Sequence, residues 1–238
     1  MSIQVFKNNA VYFDGYDLTG YSNSLTIDQG AEAKDATVFG ATTKTNVGGL
    51  KTAALGVQGF WNSTPDLGLM GALGVSGKLI SACPTNTAGD PAYMMAAVVG
   101  TYTCNGQVGD VFPYSLSAAA GGNLVRGTLC EKNTAISVTA NGTARNLGAV
   151  AAGQKLYAGL HVLSVSGTSP TLDVTINSAA TDSWGAPTLR ATFTQKIAIG
   201  AELKEVSGAI TDGWWRPTMT IGGTATPTFS FVLILAIL

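Results

Sequence analysis

Apolar and polar positions alternate along this chain in short runs rich in Val, Ile, Thr and aromatic residues, cut by Gly, Pro and Asn at intervals of roughly 8–15 residues. That rhythm predicts strands joined by turns. Two Asn-Gly pairs fall between such runs: Asn105-Gly106 separates residues 93–104 from 107–116, and Asn141-Gly142 separates 134–139 from 143–150. Both predict type I′ hairpins, because Asn and Gly tolerate the positive φ of that turn. The longest apolar run, FSFVLILAIL at residues 229–238, is interrupted only by Ser230. It is about half the length of a membrane-spanning helix, so it predicts a buried strand.

Helical spacing shows once. Ser63, Thr64, Pro65 and Asp66 supply capping chemistry and an early proline, Leu67, Leu69, Met70 and Leu73 follow, and Gly74 would stop the segment. Its glycines hold the prediction to a turn or two. From about Thr134 onward no helix pattern remains. Instead VSGTSPTLDVTI (165–176) is echoed by IGGTATPTFSFV (221–232), which predicts two similar β-hairpins in one sandwich. A composition change after Glu131-Lys132 places a domain boundary between residues 1–133 and 134–238.

Charge changes the picture. Of 238 residues only 27 are charged, 11% where a soluble domain carries about 25%. Thirty residues are Gly, 29 are Thr and 46% are hydrophobic. A compact monomer of this mass exposes on the order of 10,000 Å², which leaves roughly one charge per 370 Å². Either much of the surface is buried against other subunits, or Thr, Ser, Asn and Gly keep it wet. A net charge of −1 with a mean hydropathy of +0.26 excludes disorder. The absence of any Lys/Arg cluster excludes a nucleic-acid grip. Residues 1–10 have no apolar core of a secretory signal. Cys83, Cys104 and Cys130 match no metal or disulfide spacing, so a reduced, cytosol-assembled protein is expected.

Candidate chemistry is thin. The single histidine, His161, lies in an apolar strand, where period-two alternation groups it with Tyr157, Gly159, Leu163 and Val165. With no acid or nucleophile beside it, it is expected to be a packed or interface residue. No nucleophile elbow, phosphate loop or zinc-binding helix motif occurs, so neither an enzyme nor a cofactor is expected. The acidic set Asp28, Glu32 and Asp35 has irregular spacing with Lys34 inside it. It reads as a solvated loop of mixed charge rather than a cation site. The Asn62-Ser-Thr and Asn141-Gly-Thr sequons are incidental without a secretory route. Trp184, Trp214, Trp215 and Tyr157 could line a sugar platform. Successive residues of a strand face opposite sides, however, so Trp214 and Trp215 cannot share one.

The first half carries an ordered pattern: DLTGYSNSLTID (17–28), AEAKDATVFG (31–40), Thr42-Thr43, Gly49-Leu50 and a strand ending GFW (59–61). GDPAY (89–93), GQVGD (106–110) and VRGTL (125–129) follow. Over residues 1–130 the chain resembles the tail tube (major tail) proteins of long-tailed bacteriophages. There a D-L-S/T-G stretch precedes a strand, then E-x-x-D-x-T-x-F-G, then G-L before the next strand. The second half resembles an extra β-domain of some phage tail proteins.

The resemblance implies an all-β fold: a tail-tube-like β-barrel or sandwich with one short helix, plus a C-terminal β-sandwich on the outer surface. It implies homo-oligomeric rings, six-fold if only residues 1–130 carry the tube fold, stacked into a hollow virion tail tube assembled in the host bacterial cytoplasm. Other tail proteins would be partners, and DNA would pass without specific binding or membrane insertion. Thr37, Phe39, Gly40, Thr42, Thr43, Gly49 and Leu50 are then expected in an extended inter-subunit arm within residues 37–55. Asp28, Glu32 and Asp35 would face the lumen or the next ring. Residues 1–144 hold nine acids against seven Lys/Arg, in keeping with a lining that lets phosphates slide. The other reading is a capsid decoration protein or a glycan-binding β-sandwich module of a phage particle.

Overall fold

The computed structural model describes residues 7–238. The first hairpin, β1 (Ala10–Phe13) and β2 (Tyr16–Asp17), turns at Asp14-Gly15, where φ is +46° and +91°. Both central residues are left-handed, as a type I′ turn requires. A Cβ on Gly15 would stand 2.3 Å from the Gly200 nitrogen, so the backbone crossing also demands glycine there.

Next come β3 (Ser22–Asp35), β4 (Asn46–Phe60), α1 (Ser63–Gly71), β5 (Lys78–Cys83), β6 (Pro91–Cys104), β7 (Pro113–Ala120) and β8 (Val125–Ile136). The second half holds two short strands, β9 (Ala140–Asn141) and β10 (Arg145–Asn146). It is dominated by β11 (Lys155–Ala179), β12 (Thr188–Thr192), β13 (Gly200–Ser207) and β14 (Trp214–Ile237). All fourteen strands join one antiparallel sheet system, and the chain is an all-β protein. No helix of the described residues is long and apolar enough to cross a membrane.

Strand β14 organises the sheet. It pairs with β11 from Leu156↔Ile237 to Ala179↔Trp214, and its other edge takes β8, β9 and β10. The run at 229–238 is apolar because both its faces are covered. Phe229, Phe231, Leu233 and Leu235 enter a core with Leu160, Leu172, Ile176 and Trp215. Val232, Ile234 and Ala236 enter another with Tyr12, Leu79, Met94 and Tyr157. A third core, around Phe13, Leu18, Leu55, Leu69, Ile80 and Leu116, belongs to the first half. The boundary expected at 133/134 falls inside β8, which pairs with β6 through Thr128↔Pro91 and with β14 through Leu235↔Thr128.

Neither Asn-Gly pair makes a type I′ hairpin. Strands β6 and β7 do pair, ending at Cys104↔Tyr114, but the connection runs from 105 to 112 and its positive φ is at Gly109. Strands β9 and β10, around Asn141-Gly142, pair with β14 and not with each other. The echoed segments are not two hairpins either. They are the bends of β11 and β14, and they pair with each other through Ser166↔Thr228, Thr168↔Thr224 and Thr171↔Gly222. An antiparallel pair has a local two-fold axis, so like sequences at its centre meet at equivalent positions, here Thr168 against Thr224. Bulges on this ribbon also displace Val165, which packs with the core opposite to that of Tyr157 and Leu163.

The helix forms close to its expected bounds with a different cap. Asn62 is the N-cap, its side chain accepting from the Thr64 amide at 2.9 Å, and Asp66 lies in the first turn. Only Pro65 and Leu69 are buried, whereas Leu67 is 80% exposed and Met70 60%. The apolar positions therefore do not form one core stripe. Replacing Asn62 by Ala should cost about 1 kcal/mol and lower the melting temperature by roughly 2–4 °C, read by calorimetry.

Candidate functional site

Strands β3 and β4 make a long hairpin in register from Ser22↔Gly59 to Asp35↔Asn46. Its base packs on the first-half core through Leu55 and Val57, and β4 continues the sheet into β7. Beyond that base every residue from 28 to 52 is exposed. The chain's accessible surface is 12236 Å², against about 10,000 Å² for a compact monomer of its mass.

The expected arm residues fall on the outer part of this hairpin. Thr37 closes the tip: its hydroxyl bonds Asp35, and its Oγ1 accepts from the Thr45 amide at 3.0 Å. Phe39, Gly40, Thr42 and Thr43 form the tip, with Gly40 at φ +86°, and Gly49 and Leu50 lie on β4. Phe39 is fully bare and Leu50 76% exposed.

Asp28, Glu32 and Asp35 share the hairpin with them, on strand β3 and not in a loop. The segment DQGAEAKD has little strand character of its own, and pairing with residues 46–54 of β4 extends it. Glu32 pairs with Lys34 at 2.7 Å and Asp35 with Lys44 at 3.4 Å. The Thr37 hydroxyl and amide, then Lys44, hold the Asp35 carboxyl below the usual carboxylate range. Such exposed pairs add little stability. Among the described residues no group of three His, Cys, Asp or Glu could hold a metal ion.

The outer edge of β3 carries no partner strand among the described residues, and β12 and β13 each pair only with β11. Open edges of this length are templates for another chain. At the opposite end of β4 sits a second bare apolar patch. Phe60 pairs with Pro113, the Trp61 amide donates to the Phe112 carbonyl at 2.7 Å, and the Trp61 and Phe112 rings lie 5.9 Å apart. Sequence reading missed this patch, although Val108, Val111 and Phe112 together in a Gly-rich loop were its available signal.

The remaining candidates are structural. His161 is wholly buried, its Nε2 2.9 Å from Ser81 Oγ and its ring 5.8 Å from that of Tyr12, and burial lowers its pKa to about 3. Trp215 is buried and donates its indole N–H to the Gly148 carbonyl at 2.9 Å. Trp184 is covered by the Arg216 guanidinium at 4.2 Å, and Tyr157 is buried under Asn123. Trp214 is half-buried at the start of β14, and the four aromatics share no open face. All three cysteines are free, and burial pushes the Cys83 and Cys130 thiols up to about 12. A cleft of about 500 Å³ is lined by amides and hydroxyls such as Asn9, Asn23, Asn86 and Thr19.

No protein-family profile matches the chain, and no curated protein does. Among solved structures, a chain from the virion of a native gene transfer agent particle aligns with a TM-score of 0.44 at 15% identity, over 51% of this chain and 97% of its own. The Dit protein of phage SPP1, described as a paradigm of the hub adsorption apparatus in phages infecting Gram-positive bacteria, aligns with a TM-score of 0.38 at 10% identity. That alignment covers 98% of this chain and 100% of the Dit protein.

Proposed function

We propose that this chain is the structural subunit of a bacteriophage tail tube, assembled in the host cytoplasm into six-fold rings that stack around a DNA channel. The carrying observation is the β3–β4 hairpin, whose residues 28–52 lie bare, with Phe39 and Leu50 uncovered. A monomer gains nothing from ordering so long an exposed ribbon in water, whereas a neighbouring subunit gives its bare Phe39 and Leu50 a surface to cover. Three further features support the reading: the ordered tail-tube-like pattern of residues 1–130, the open edge of β3 and the 11% charge. Ring closure uses two different faces of each subunit and stacking uses two more, so sparse charge follows from assembly. Residues 1–133 would build the wall and 134–238 an outward sandwich, with β8 the strand common to both.

Electron microscopy of the purified protein tests this directly. Hollow tubes of stacked rings are expected. Replacing residues 30–52 by Asn-Gly, between the paired Gln29 and Ala53, should give a folded protein that no longer assembles. A strictly dispersed full-length monomer at high concentration would sink the proposal.

A further inference from the structure

In the second half, Arg216 is a half-buried cation without an anion. It stands on the outward face of β14, opposite Asn177 of β11. Its Cζ lies 4.2 Å from the centre of the Trp184 ring, so stacking holds the fork in place. Trp184 itself sits at φ +52°, a region bulky residues rarely enter. The Arg216 Nε is buried without a hydrogen-bond partner, and among the described residues the side chain makes no ion pair. The nearby carboxylates are engaged elsewhere. Asp212 holds Arg190 at 3.0 Å, and Asp182 accepts the Trp184 indole N–H at 3.3 Å. Asp173 lies opposite Thr220, about 13 Å along β14 from Arg216, and accepts from the Gln195 amide.

Beside the guanidinium the face is neutral and hydrogen-bonding. The Asn177 amide donates to Thr218 Oγ1 at 3.2 Å, and the Thr218 hydroxyl donates to Asn141 Oδ1 at 2.8 Å. That ladder leaves the Asn177 carbonyl oxygen and the Asn141 amide nitrogen free for a ligand. We infer that Arg216, Trp184, Asn177, Thr218 and Asn141 form a binding site for an acidic glycan. The planar fork takes a carboxylate or phosphate oxygen pair, and the ladder takes neighbouring sugar hydroxyls. Nucleic acid fits less well, because it needs several free cations and Arg190 is already paired. The site is independent of the β3–β4 hairpin and of tube assembly.

Calorimetric titration of the full chain with polygalacturonate, poly(glycerol phosphate) and neutral galactan tests it. Binding of at least one charged polymer, weakened by salt, is expected, with none of galactan. Which charged polymer binds identifies the oxyanion as carboxylate or phosphate. Arg216→Gln should lower the affinity at least about tenfold, and Arg216→Lys, which keeps the charge but loses the fork, should weaken it as well. Both variants should melt within a few degrees of the parent and assemble as it does. The site is overturned by silence towards both charged polymers, by equal affinity in parent and Arg216→Gln, by equal binding of galactan, or by preference for duplex DNA. None of these results bears on whether the chain forms tubes.

Discussion

Gly127→Val is expected to abolish soluble expression of the folded chain. Gly127 lies on β8 opposite Ala92 of β6, where a Cβ would stand 2.1 Å from the Leu235 carbonyl oxygen and 2.5 Å from the Ala236 Cβ. Both obstacles belong to β14, which is fixed along its other edge by β11 and cannot retreat without breaking that ladder. Its φ lies outside the left-handed region, so space alone is the constraint. A branched side chain here forces apart the strands that join the two halves, at a cost of more than about 4 kcal/mol out of a total of roughly 5–15. Gly122, with nothing within 4 Å of its Cβ position, is the control. Gly122→Ala should stay soluble and melt within a few degrees of the parent chain. A Gly127→Val protein recovered in comparable yield, with a similar melting temperature, would show that the seam is looser than its spacing implies.

The strand content was legible because alternation, the β-branched runs and the segment 229–238 all say the same thing. What could not be read was which strand pairs with which. Asn-Gly reports local turn preference only. At Asn105-Gly106 the Gly-containing stretch up to Phe112 forms a wider loop, and at Asn141-Gly142 the flanking strands find better partners in β14. The tight hairpin instead uses Asp14-Gly15, an equally strong signal between two aromatic residues. The echo at 165–176 and 221–232 was visible, but one chain cannot say whether like segments each fold back or pair together; the β11–β14 ribbon pairs them.

The candidate site was legible in its tip and not in its extent. Phe39, Gly40, Thr42 and Thr43 sit in a Gly/Thr-rich stretch, 37–55, whose only charges are Lys44 and Lys51, and they form the exposed end. Residues 28–35 mix charges without alternation and read as loop, yet pairing with β4 extends them as strand and places Asp28, Glu32 and Asp35 on the same projection. The second apolar patch was harder still. Phe112 is 52 residues beyond Phe60 in sequence, and only the β4–β7 pairing brings it to Phe60 and Trp61.

Acid should weaken this fold in a specific way, through His161. The ring contacts Ser81 of β5 and Tyr12 of β1 from its place on β11, so it ties strands of the first half to the second. Burial also raises the Tyr12 hydroxyl and the Cys83 thiol of the same core, so both are neutral at pH 7, and no charged group offsets the burial of an imidazolium at His161. Burial therefore lowers its pKa to about 3, against about 6.5 in the unfolded chain. Between those values the unfolded chain binds one proton more than the folded one, so stability is complete above pH 6.5 and falls as pH drops toward 3. By pH 4.5 the loss from this group alone is roughly 2–3 kcal/mol. His161→Gln keeps an amide able to bond Ser81 but cannot charge. Urea midpoints at pH 7 and 4.5 should then fall much less in the variant than in the parent, the remaining decline coming from paired carboxylates such as Asp212 with Ser178 and Arg190. Equal declines in the two proteins would mean that the imidazole is not the group that acid must charge. A much steeper parent curve would locate the first failure at the β5–β11 contact, where protonation puts an uncompensated charge between the two halves.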